Sequence, residues 1–154
     1  MPKYSVTSNE KLRTCSKTIQ IVFYYVIKYF DNKIIFGHRA SDLQFKLYKK
    51  GRIYEGGKWV IVNKSKVVTY KDGKDNLSKH NYSPSKAIDV TPYPIDFSDV
   101  DRIRYFAGFV VGISKLLKEL GYIDKTLRWG GDWDRDTDLN DQIFDDLLHF
   151  EEAD

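Results

Sequence analysis

Apolar residues recur at helical spacing from Ile19 through Val22, Phe23, Val26 and Ile27 to Phe30, so residues 17–30 read as a buried helix. Gln20 and Lys28 interrupt this run, which is too short to span a bilayer. IIFGHR (34–39) reads as a short strand that closes at Gly37. SDLQFKLYKKG begins at a capping-type Ser41 and stops at Gly51, which predicts a second helix. Residues 52–86 are polar, with β-like patches at KWVIV and KVVTY and a turn at Asp72-Gly73. KAIDVTPYP reads as a strand closed by prolines, and DVDRIRYFAGFVVGISKLLKELG as the longest helix, stopping at Gly121. TLRWGG predicts a strand entering a turn, an acidic loop follows from 132, and LLHFE is the last strand. Helices grouped against a small, mostly antiparallel sheet make an α+β fold. No repeat, low-complexity tract or linker divides residues 1–154, so they read as one domain.

Hydrophobic content of 42% with 15% aromatics suits a chain that buries a core rather than a disordered one. The single cysteine, Cys15, excludes an internal disulfide and a cysteine-rich zinc site. The opening MPKYSVTSNEKLR has no apolar signal core, which predicts a protein made in the cytoplasm and not exported by that route. The net charge of +3 conceals an asymmetry. Residues 1–86 carry 18 Lys/Arg against 6 Asp/Glu, and residues 87–154 carry 7 against 16. Either the halves neutralise each other in the fold, or the basic one attracts a polyanion.

The chemistry gathers around two stretches. NLSKHNYSPSKAID (76–89) holds one of three histidines, His80, and ends in an acid, Asp89, inside an apolar β-like run. An acid in such a run is costly unless something pairs with it, and a metal ion is one such partner. DDLLHFEE (145–152) places His149 three residues after Asp146. A zinc peptidase needs three protein ligands, an open position and a carboxylate near the water. His80, Asp89 and His149 supply such a ligand set, and Asp146 a base, with Asp145 its nearest competitor. The helical HExxH of other metalloproteases is absent. On spacing alone the bland reading stands beside this one, since a solitary loop histidine is more often plain surface. DWDRDTDLND (132–141) alternates acids like an EF-hand loop, but Thr137 at the sixth position and Ile143 at the twelfth exclude that motif. A solvated acidic loop or a different calcium loop remains.

SKHNYSPSKAIDV, with GHR upstream and RWGGDWD and DDLLHFE downstream, resembles the zinc D-alanyl-D-alanine carboxypeptidase and L-alanyl-D-glutamate endopeptidase family, which includes vancomycin-resistance D,D-peptidases and phage endolysins. The pattern of Ser-x-His, Ala-x-Asp and acid-x-x-His falls here on Ser78, His80, Ala87, Asp89, Asp146 and His149. The resemblance implies a hedgehog/D-Ala-D-Ala peptidase-like fold, Zn2+ held by His80, Asp89 and His149, and Asp146 as general base. It implies a cleft-facing Arg39 for an oxyanion or substrate carboxylate, and leaves His38 as structural. Ser78 is a candidate for contact with substrate or a cap of its own loop, and Trp129 and Trp133, flanking Gly130-Gly131, either line the cleft as substrate contacts or pack in the core. Two features depart from the common pattern. His80 and Asp89 are nine residues apart rather than seven, with Pro84 near the usual glycine, and the base is Asp, as in the endolysin branch. The expected function is a monomeric, phage-type endolysin acting on bacterial peptidoglycan, most readily at L-Ala–D-Glu, that accumulates in the host cytoplasm before reaching the wall. The alternatives are a D-Ala-D-Ala carboxypeptidase of the same family and a non-catalytic wall-binding module. A nucleic-acid-binding protein using the basic half is the reading from another class.

Overall fold

The computed structural model describes residues 1–153. Its centre is a four-stranded antiparallel sheet of spatial order β1-β4-β6-β5. The strands are β1 (Asn32–Phe36), β4 (Ala87–Pro92), β5 (Leu127–Gly130) and β6 (Asp146–Glu152). Two helices, α2 (Lys17–Val26) and α4 (Val100–Glu119), cover one face. On α2 the residues Ile19, Val22, Phe23 and Val26 form the buried stripe; on α4 it is Ile103, Phe106, Ala107, Val110, Ser114 and Leu117. The helices meet the sheet at Phe150, whose ring takes Phe23 edge-on at 5.7 Å and Phe106 at 6.0 Å.

Strand alternation then decides what lies on the opposite face. Ile88, Val90 and Phe150 point into the helix-packed core, so Asp89, His149 and Glu151 point away from it. Every residue of β4 is nonetheless buried, and Arg39, His80 and His149 close over Asp89 on that face. The segment between β1 and β4 holds α3 (Ser41–Tyr48) and a hairpin of β2 (Arg52–Glu55) and β3 (Lys58–Ile61). Gly56 and Gly57, both at positive φ, close the hairpin as a two-residue turn requires.

The expected α+β architecture is present, with a small antiparallel sheet and flanking helices. Three local expectations change. A helix absent from the pattern, α1 (Val6–Arg13), precedes α2; it buries little besides Ser8 and Leu12, so its apolar signal is sparse. The helix expected over 17–30 ends at Val26 and continues only as turns. KVVTY is not a strand. Arg52 donates to Thr69 O within it, and Gln44 Nε2 donates to the Thr69 hydroxyl and to Lys71 O just beyond it. Among the described residues no helix is long and apolar enough to cross a membrane.

The C-terminal end of α1 presses on Gly37, just past β1. A Cβ there would lie 2.3 Å from Lys11 O and 2.4 Å from Thr14 Oγ1. Gly37→Ala is therefore expected to destabilise the chain by about 1–3 kcal/mol. Urea denaturation of the metal-free protein checks this, and an unchanged midpoint would contradict the close packing.

Candidate metal centre

Asp89 and His149 are direct cross-strand partners on β4 and β6. His80 reaches them from a short 3-10 turn, Lys79–Asn81, just before β4. Ser78 builds that turn: its hydroxyl accepts from His80 N at 3.3 Å, and Asn81 Oδ1 accepts from Ser78 N at 2.8 Å, a reciprocal cap. His80 Nε2, His149 Nδ1 and Asp89 Oδ1 form a nearly equilateral triangle with sides of 3.1, 3.2 and 3.2 Å.

The outer nitrogens show what the triangle is for. His80 Nδ1 lies 2.7 Å from Gly37 O, which can only accept, so this nitrogen carries a proton. His149 Nε2 lies 2.9 Å from Glu151 Oε2, which fixes its proton in the same way. Neutral rings then turn both remaining lone pairs, with a carboxylate oxygen, toward one point. Three acceptors so arranged repel one another unless a cation or proton sits among them. Tetrahedral ligands about 2.0–2.1 Å from zinc lie roughly 3.3 Å apart, close to the observed sides. The donor set therefore fits a divalent metal ion, and its ring N–H groups have the outer partners such sites use. His80, Asp89 and His149 are all buried.

Charge around the triangle is arranged to match. Arg39 NH2 binds the second oxygen of Asp89 at 2.8 Å, leaving Oδ1 for the centre, and NH1 binds Gln44 Oε1 at 2.9 Å. Arg39 is 9% exposed, so it is no surface salt bridge. Burial opposes ionisation of Asp89, but the charges and hydrogen bonds of His80 and His149 hold its carboxyl far below the ordinary range. Burial would likewise lower the His149 imidazole; hydrogen bonds to Asp89 and Glu151 and the charges of Asp89 and Asp146 override it and push it up to about 10.

Asp146 enters through a strand irregularity. It lies three residues before His149, and plain alternation would put the two on opposite faces. Between Trp129 and Gly130 of β5 the partner on β6 jumps from Phe150 to Asp146, and both acid and histidine line one cleft. Gly130 permits this approach, since a Cβ there would meet Asp146 O at 2.4 Å. Burial, with the nearby Asp89, raises the Asp146 carboxyl above its ordinary value despite opposition from His149, His80 and Arg39. Asp145, the competing base, is exposed and does not line the cleft.

The cleft encloses about 720 Å³. One wall comes from the basic half, through Leu47, Lys50, Val68 and Tyr70; the other comes from the acidic segment, through Trp133 and Phe144. Tyr70 and Phe144 meet edge-on at 5.3 Å across it.

The chain shares its fold with a solved endopeptidase. That structure is the L-Ala D-Glu endopeptidase ChiX of Serratia marcescens, with a TM-score of 0.63 and 18% sequence identity over 97% of this chain and 89% of that one. No protein-family model matches the chain, and no curated protein matches it.

Of the residues singled out in the sequence, Arg39, Ser78, His80, Asp89, Trp133, Asp146 and His149 line the same cleft. Trp129 does not. It is 5% exposed, packs in the core and donates Nε1 to Leu147 O at 2.8 Å, so the expectation of a cleft-lining side chain is corrected. His38 is exposed and stands outside the ligand set. Gln44, Arg128 and Glu151 were missed. Gln44 and Arg128 carry no local signal, whereas Glu151, two residues after His149 on a strand, was legible from alternation. Asp132, Asp134 and Asp136 also bring carboxylate oxygens within 4.8 Å of one another, but two of the three are exposed to solvent.

With His149 pushed up to about 10, the metal-free centre holds a proton at neutral pH that a metal must displace. Its affinity for a divalent ion is expected to rise roughly tenfold per unit over about pH 6–9. Chelator competition across that range checks this; a flat profile would show that no proton is displaced.

Proposed function

We propose that this chain is a zinc-dependent peptidoglycan peptidase of the phage endolysin type, cutting the stem peptide between L-Ala and D-Glu. One observation carries the reading: two histidines and an aspartate turn three lone pairs to a single point, beside an acid of raised pKa, in one cleft. The shared fold with an L-Ala D-Glu endopeptidase supports the substrate class. An aspartate at the base position, as in endolysins, supports the branch.

His80, Asp89 and His149 hold the ion, which when bound supplies a Lewis acid that polarises the scissile carbonyl and acidifies a water. Asp146 takes the proton from that water as its oxygen bonds to the carbonyl carbon. The same proton passes from the Asp146 carboxyl to the amine nitrogen as the C–N bond breaks. Arg39 keeps Asp89 oriented, and its position in the cleft suits it to balance negative charge on the carbonyl oxygen. Ser78 holds the His80 turn, and Trp133, whose ring centroid is 5.5 Å from that of His149, offers a flat wall to the peptide.

Asp146→Asn is expected to bind zinc and melt like the wild type while losing about 10²–10⁴-fold in hydrolysis of purified peptidoglycan. His80→Ala is expected to lose the metal instead. An Asn variant that digests at the wild-type rate removes Asp146 as the base.

The bond is read from the new amino groups. Labelling of N-termini after digestion is expected to mark D-Glu, with L-Ala left on the muramyl sugar. Release of free D-Ala alone assigns a carboxypeptidase, and zinc binding without any cleavage assigns a wall-binding module.

A further inference from the structure

The two histidines of the centre are held differently. His80 is oriented by a backbone carbonyl, Gly37 O, locked between α1 and β1. His149 is oriented by a side chain, Glu151, which has rotatable bonds of its own. A freely turning carboxylate would leave the imidazole free to turn with it.

The surroundings remove that freedom. Arg128 stands opposite Glu151 in the β5–β6 register. Its Nε and NH2 both bind Glu151 Oε1, at 2.8 and 2.6 Å. Lys79 Nζ lies 3.9 Å from the same oxygen. Arg128 thus occupies Oε1, with the Lys79 charge beside it, and Oε2 is left for His149 Nε2. Arg128 is itself anchored: NH1 donates to Trp133 O at 3.2 Å, and the guanidinium lies 5.4 Å from the indole centroid. Two guanidinium donors converging on one carboxylate oxygen hold it in place and leave the other free to accept from the imidazole.

We propose that Arg128 and Glu151 are positioning residues for the metal centre: their ion pair fixes the His149 imidazole in the tautomer and orientation that turn its Nδ1 lone pair toward His80 and Asp89. This rests on reading the triangle as a metal site. The pair touches neither the ion nor the reacting atoms, and acts through the ring it holds.

The test measures zinc affinity by chelator competition in the full chain, with no substrate present. Glu151→Gln keeps an acceptor for His149 but loses the charge and the bidentate pair; its zinc affinity is expected to fall about 10–100-fold. Arg128→Gln should produce a loss of the same kind, Arg128→Lys should recover part of it, and Glu151→Gln with Arg128→Gln should lose no more than Glu151→Gln alone. Imidazole ¹⁵N shifts of the zinc-loaded protein should show His149 protonated at Nε2 in the wild type and a mixed or broadened ring in Glu151→Gln. Should Glu151→Gln fail to fold, Arg128→Gln carries the test, since that side chain is partly exposed. Wild-type protein that binds no zinc removes the metal centre itself. Zinc bound equally well by wild type and folded variants, with unchanged ring shifts, removes the positioning role and leaves the metal centre standing.

Discussion

Everything at the centre depends on one cross-strand pair, Asp89 against His149. Antiparallel pairing brings these side chains together on the face that α2 and α4 do not cover, and the turn before β4 delivers His80 to complete the triangle. The arrangement makes sense only with a positive charge in its middle. Three lone pairs converging in a buried site repel one another, so the site suits a cation or a proton at its middle.

The outer partners turn that site into a defined one. Gly37 O and Glu151 fix the two rings, while Arg39 takes the second oxygen of Asp89. These contacts also give the charge asymmetry of the chain a structural meaning. Arg39 and Lys79, from the basic half, pair with Asp89 and Glu151, from the acidic half, around the centre. The halves therefore compensate each other where burial makes an uncompensated charge most costly. Elsewhere they stand apart as the two walls of the cleft. The aromatic contact of Tyr70 with Phe144 joins those walls.

The division of labour between rigid and variable parts follows the same line. His80, Asp89, Asp146 and His149 sit on strands or on a capped turn, where neighbouring backbone holds them in register. The walls come from Leu47 and Lys50 at the end of α3, from residues 68–71, and from the irregular acidic segment.

Much of this was legible in the sequence because it rests on local rules. Helical spacing of Ile19, Val22, Phe23 and Val26, alternation around Asp89, and the stop at Gly121 each reflect a single element's geometry. Asp89 stood out as an acid in an apolar strand, while the set of His80, Asp89, Asp146 and His149 rested on the resemblance to a zinc peptidase family. What the sequence could not give was anything made by two distant segments at once. Trp129 and Trp133 look alike along the chain, yet the turn at Gly130-Gly131 sends one to the core and the other to the cleft. KVVTY has the composition of a strand, but Arg52 takes its Thr69 carbonyl and Gln44 its Thr69 hydroxyl, and among the described residues no strand pairs with it. Arg128 carries no signal until β5 lies beside β6 and sets it against Glu151. Residue types and periodicity determined which groups were available and which face each would take; only the packing of strands from opposite ends of the chain decided which of them meet, because a contact across dozens of residues depends on register and burial that no local pattern contains.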